Sequence, residues 1–120
     1  MRKQTTPLSE SQIQHDCMTW FNMQYPKIQM LCFAVPNGGK RTPKDGARMK
    51  YEGVKKGVSD IIILIPKKGF ASLCIEMKTP KGKQQDVQKE WQREAEKYHN
   101  KYVVCHSLQE FMNEVNSYLL

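Results

Sequence analysis

The sequence lacks almost every feature that would mark an exported, membrane-spanning or zinc-scaffolded chain. Its four cysteines, Cys17, Cys32, Cys74 and Cys105, are isolated, and no C-x-x-C pair occurs. Zinc fingers and ribbons need paired ligands at short spacing, and His15, His99 and His106 do not supply the missing half. Each cysteine has apolar neighbours, among which it serves as a small core side chain. Reduced structural thiols are therefore expected, and with them a cytoplasmic location. Apolar runs such as Ile61 to Ile65 are far too short to cross a bilayer. The opening residues, MRKQTTPLSE, lack the apolar core of a secretory signal. Repeats, low-complexity tracts and linker-like stretches are missing too, so residues 1–120 are expected to form one domain.

Positive charge is what the sequence has in excess. Lysine and arginine number 19 against 12 acids, a formal net charge of +7. The excess is concentrated. From Lys40 to Lys83 there are 12 basic and 4 acidic residues, or +8, which leaves about −1 for the remainder. Such a block draws polyanions and speeds encounter with them, although an ordinary solvated surface has the same composition.

Periodicity predicts the elements. Ser9 and Gln12 form a capping-box pattern, and Ile13, Cys17, Trp20 and Phe21 follow at helical spacing until Pro26 ends the helix. Gln29 to Pro36 is a dense apolar run read as a strand. Asn37-Gly38-Gly39 reads as a turn that needs positive φ, and a short helix fits Lys44 to Tyr51. Asp60 to Ile65 is rich in β-branched residues, as expected of a strand buried on both faces. Pro66 to Gly69 turns the chain, and Ala71 to Lys78 returns as the antiparallel partner. Val87, Trp91, Ala95 and Tyr98 mark one face of a helix, and Tyr102 to Cys105 forms a strand. Ser107 and Glu110 open a last helix with Leu108, Phe111, Val115 and Leu119 facing inward. Trp20, Trp91, Tyr98 and Phe111 are expected in the core. The resulting fold class is α/β, a sandwich with a mixed central sheet flanked by helices.

Chemistry enters at the ends of two strands. Asp60 begins one, after Gly57-Val58-Ser59, and Glu76 and Lys78 end the next. Alternation puts Glu76 and Lys78 on one face with Met77 on the other. In a hairpin, the start of one strand lies beside the end of its partner, so Asp60 approaches Glu76 and Lys78. Two carboxylates and an ammonium beside an apolar sheet are costly without compensation. Magnesium supplies it, held by Asp60, Glu76 and the backbone carbonyl of Met77 and keeping several waters; manganese is expected to substitute. Lys78 then faces the attacking water and the phosphate. That arrangement suits phosphodiester hydrolysis and requires no Ser, His or Cys nucleophile. An E-x-K at a strand end is otherwise an exposed ion pair of little energetic value.

These segments resemble a known family. GVSD (Gly57 to Asp60), an apolar strand and EMK (Glu76 to Lys78) are similar to the bipartite motif of the PD-(D/E)XK nuclease superfamily. Glu10 and Gln14, VPNGGKR (Val35 to Arg41), KTPKGK (Lys78 to Lys83), and Gln88 with Trp91 narrow the resemblance to its VRR-NUC branch, in order from about Ser9 to Cys105. Ser59 departs from the family's usual proline, which shapes the loop and is not a ligand. The resemblance implies a restriction-endonuclease-like sandwich with Asp60 and Glu76 as metal ligands, Lys78 as catalytic lysine and Glu10 as the acid that completes the metal site. It also makes Gln14 a supporting residue and Gln88 a polar position near the lysine. From the residues alone, Glu10 is a favourable charge in a first helical turn and Gln88 an exposed helix residue.

The resemblance further implies an endonuclease acting as a homodimer on branched DNA, four-way (Holliday) junctions above all, in a bacterium or a phage-infected cell. Such a chain needs neither a membrane nor a small-molecule cofactor. Asn37, Lys40 and Arg41 are the expected phosphate-contacting residues after the turn, with Arg48, Lys55, Lys56, Lys81 and Lys83 from the rest of the basic block. The alternatives are a flap or nicking endonuclease of the same superfamily, and a non-catalytic DNA-binding module that kept the fold.

Overall fold

In the computed structural model, which describes residues 7–36 and 42–120, the chain enters its first helix at Ser9. The Ser9 hydroxyl accepts from the Gln12 N–H at 3.1 Å, and the Gln12 side chain accepts from the Ser9 N–H at 2.9 Å. This reciprocal cap starts α1, Glu10–Gln24. Ile13, Cys17 and Phe21, spaced at one turn, are its buried stripe.

The strand expected over Gln29 to Pro36 is much shorter. Pro26–Leu31 forms a 3-10 helix, and only Cys32–Ala34 is strand β1. Pro26 sits at the start of the 3-10 turn, where its fixed φ fits and its missing N–H is not needed. Of the residues whose apolar density suggested a longer strand, Met30 and Leu31 are exposed, while Ile28 just before them packs against the core. A short helix, α2 (Pro43–Tyr51), follows, with Thr42 accepting from the Asp45 N–H at 3.1 Å.

β2 is Ile61–Ile63 and β3 is Ser72–Met77. Their hairpin is closed by Lys68 and Gly69, both at positive φ, between Lys67 and Phe70. β2 is not buried on both faces as its composition suggests: Ile61 and Ile63 are buried, Ile62 is half-buried and Leu64 is exposed. β3 has the fully buried run, all six residues from Ser72 to Met77. Helix α3 (Asp86–Lys97) then carries the chain to β4 (Asn100–Cys105), which lies parallel to β3. α4 (Leu108–Leu119) closes the chain. Its Ser107 cap accepts from the Glu110 N–H, but Glu110 returns its carboxylate to the His106 N–H at 2.8 Å, so the box is displaced by one residue.

The sheet has strand order β1-β2-β3-β4 and is mixed, antiparallel on one side and parallel between β3 and β4. On one face, α1 and α4 pack Phe21, Phe111, Val115 and Tyr118 onto Ile61, Ile63, Leu73, Ile75 and Met77. On the other, α3 lies over the β3–β4 half, with the Trp91 ring 6.1 Å from that of Tyr102. This asymmetry explains β2, because α3 shields β3 and β4 and leaves Ile62 and Leu64 uncovered. Phe111 is a core residue as expected, and Trp20 leans edge-on against it at 5.9 Å. Tyr98 is 75% exposed. It stands at the C-cap of α3, outside helical geometry, where the helix face no longer dictates direction. All four cysteines are buried and unbridged. Burial pushes the thiols of Cys17, Cys32 and Cys105 up to about 12, as suits inert core residues. Among the described residues, no helix is long and apolar enough to cross a membrane.

Candidate active site

Two strand ends and the start of a helix meet at one corner of the sheet, and register decides what meets there. β2 and β3 pair Ile61 with Ile75, so Asp60 stands opposite Glu76. The Asp60 carbonyl is turned away, accepting from the Val35 N–H at 2.7 Å. Asp60 and Glu76 therefore form a non-hydrogen-bonded cross-strand pair, the kind in which side chains come closest. The ladder between the strands ends here, and the Asp60 side chain takes over: its Oδ2 accepts from the Met77 N–H at 2.7 Å. A strand residue turns its N–H and C=O to the same edge, so the Met77 carbonyl faces that edge too.

Glu76 projects from the opposite face to Met77 and is 1% exposed. Its Oε2 accepts from Gln88 Nε2 at 3.1 Å, and its Oε1 from the Tyr102 hydroxyl at 3.3 Å. Lys78, one residue beyond β3, is anchored by its own N–H on the Cys105 carbonyl at 2.9 Å. Its side chain turns the same way as that of Glu76, with Nζ 4.0 Å from Glu76 Oε2. That separation makes a loose ion pair and is too long for a hydrogen bond, so Lys78 meets the charge of Glu76 only in part. Burial is the main reason its carboxyl is pushed well above the usual carboxylate range. The Asp60 carboxylate, hydrogen-bonded and like-charged beside it, pushes it further, while Lys78 and Tyr102 offset this only in part.

Glu10, in the first turn of α1, joins the edge of this cluster. Its carboxyl is pushed upward first by burial and then by Asp60, and is drawn down by Lys78. Among the described residues, no three His, Cys, Asp or Glu side chains form a group that could hold a metal ion. Gln14 lies one turn along α1, half-buried, and among the described residues no hydrogen bond ties it to Asp60, Glu76 or Lys78. Gln88 does reach the site. Its amide oxygen accepts from the Gln85 N–H at 2.8 Å at the start of α3, which leaves its amide nitrogen directed at Glu76.

The donor set fits a hard divalent cation. Two adjacent carboxyls and a strand carbonyl lie at one corner, one carboxyl is almost fully buried, and its charge is only partly offset by Lys78 and Tyr102. Tyr102 is the residue that sequence reasoning missed. Its one signal was a hydroxyl-bearing side chain in the otherwise apolar Tyr102 to Cys105 stretch, in phase with Glu76.

Of the basic residues expected to contact DNA, Arg48, Lys55, Lys56, Lys81 and Lys83 are all exposed. Lys55 and Lys56 lie on the connection that leads into Asp60, and Lys81 and Lys83 on the one that leaves Lys78, so both pairs adjoin the site residues along the chain. Arg48 is on α2. Asn37, Lys40 and Arg41 lie outside the described residues.

The VRR-NUC domain family matches the chain over residues 8–109. A solved structure described as a VRR_NUC domain protein shares the fold with a TM-score of 0.82 at 24% sequence identity, covering 95% of this chain and 90% of that one. No curated protein sequence matches the chain.

Proposed function

The chain belongs to the VRR-NUC domain family, a nuclease fold that acts on DNA, and on that premise we propose that it is a Mg2+-dependent endonuclease of branched DNA, with four-way junctions as its main substrate. The observation that carries this reading is the Asp60–Glu76 carboxyl pair, opposed across β2 and β3 with Lys78 beside it. Asp60, Glu76 and the Met77 carbonyl are the residues that would hold the ion, with Glu10 as the acid that would complete the site and Mn2+ able to replace Mg2+. When bound, the ion supplies Lewis acidity toward the phosphate and lowers the pKa of the attacking water.

The chain's own residues do the rest. Lys78, held in place by its backbone bond to Cys105, orients the water and carries charge that develops on the phosphate. Gln88 fixes one oxygen of Glu76. Asp60 is held by Met77, so neither carboxylate has to be ordered when substrate arrives. Water attacks phosphorus, the P–O bond to the leaving strand breaks, and the departing oxygen takes up a proton. Lys55, Lys56, Lys81 and Lys83 adjoin the site residues along the chain and neutralise backbone phosphates on either side of the cut.

Two incisions placed symmetrically across a junction call for two sites related by a two-fold axis, which makes a homodimer the working species. Cleavage of labelled four-way junction, flap, splayed arm and linear duplex, each with Mg2+, Mn2+ or EDTA, tests the proposal. Metal-dependent cutting that favours the junction and disappears in Asp60→Ala is the expected result. Preference for the flap would move the substrate within the same superfamily. Binding without cutting under every metal condition would overturn the enzyme in favour of a DNA-binding module.

A further inference from the structure

Each oxygen of Glu76 has one neutral donor on the side away from Asp60. Gln88 supplies one, and its amide polarity is set by the cap of α3. Tyr102 supplies the other. It sits on β4 in register with Cys74, which places it diagonally from Glu76 on the same face of the sheet. It is 7% exposed, with the Trp91 ring packed against its own. Just ahead of α3 in the chain, the Gln84 amide nitrogen donates to Gln92 Oε1 at 2.8 Å. With a cation bound, Glu76 is ionised and can only accept, so the single phenolic proton goes to it.

We infer that Tyr102 is a positioning residue of the metal site. Its hydroxyl, paired with the Gln88 amide, clamps the Glu76 carboxylate in one plane, with the edge nearer Asp60 presented to the cation. A glutamate gripped by two neutral donors keeps its negative charge for the metal, whereas a third ammonium or guanidinium there would compete for it. This inference rests on the nuclease reading above. It gives β4, a strand with no residue of the catalytic motif, a specific part in that site.

The test is Mn2+ titration of the metal-free protein followed by electron paramagnetic resonance, alongside junction cleavage across a range of Mg2+ concentrations. Removing an outer partner of a metal ligand weakens metal binding by about 10-fold or more. Tyr102→Phe keeps the ring against Trp91, so it is expected to bind Mn2+ about 10-fold more weakly and to need about 10-fold more Mg2+ for half-maximal cleavage, on the same scale. Its affinity for the junction in EDTA is expected to be unchanged. A variant that binds Mn2+ as tightly as the parent overturns the clamp, whether or not its melting temperature falls, because then the hydroxyl acts only in packing. In that case the parent still binds metal and cuts, and the nuclease reading survives. If the parent protein neither binds Mn2+ nor cleaves, that reading and the clamp fall together.

Discussion

Gly57 joins the basic connection to the strand that bears Asp60, and it has no room for a side chain. Its φ is +81°, and a Cβ built there would lie 2.4 Å from the carbonyl oxygen of Val87. Val87 belongs to the first turn of α3, next to Gln88. A second glycine provides the control. Gly69 in the hairpin has nearly the same φ, +84°, yet a Cβ there meets nothing within 4 Å. Gly69→Ala thus reports the left-handed backbone alone, about 1–2 kcal/mol. Gly57→Ala adds the displacement of a backbone oxygen, about 1–3 kcal/mol more, for a total near 3 kcal/mol. Unfolding entropy of about 2.1 cal/mol/K per residue converts 1 kcal/mol into about 4 °C for 120 residues. Thermal melts should then show a loss of about 6 °C for Gly69→Ala and about 12 °C for Gly57→Ala, on that conversion. The function should separate them further. Pushing Val87 moves Gln88 off Glu76, and pushing the loop moves Asp60, so single-turnover junction cleavage well below both melting temperatures should fall in Gly57→Ala and not in Gly69→Ala. Equal melting temperatures for the two variants would refute the close approach of Gly57 to α3. Equal cleavage rates would refute the link from that approach to the site.

Lys78→Ala is expected to leave junction affinity within about 2-fold while removing cleavage, since an interaction made only in the transition state lowers rate and not binding; a parallel fall in gel-shift affinity would make Lys78 a phosphate-binding residue instead. The raised carboxyl of Glu76 gives stability a sign: it is fully present below the unfolded carboxylate pKa and is lost as pH rises through the elevated folded value. The metal-free protein should therefore lose melting temperature between pH 5 and pH 8, Glu76→Gln should flatten that slope, and added Mg2+ should stabilise the parent more at pH 8 than at pH 6. Identical slopes for parent and Glu76→Gln would place the titrating group elsewhere. Lys55→Ala combined with Lys56→Ala should lower affinity for all DNA shapes alike and reduce the salt slope by about 1 for each phosphate no longer neutralised, measured by fluorescence anisotropy from 50 to 200 mM salt; an unchanged slope would take this connection off the DNA-facing surface.

Local pattern was sufficient for much of this protein. The α1 cap was legible from Ser9 and Gln12, and the hairpin from two β-branched runs around Pro66 to Gly69. The carboxylate corner was legible because alternation and antiparallel pairing are nearly geometric identities once a hairpin is assumed. Chain-local chemistry also located the basic block and the buried cysteines. Tertiary structure alone decided which residues were covered. It turned Met30 and Leu31 into a 3-10 segment, left Leu64 and Tyr98 in solvent, and buried Glu76, because helix coverage depends on where α1, α3 and α4 land on the sheet. The grip of Tyr102 and Gln88 on Glu76 arises from the parallel pairing of β3 with β4 across the α3 crossover. Periodicity within a segment cannot encode that placement, since it reports which side a residue faces and not what stands opposite.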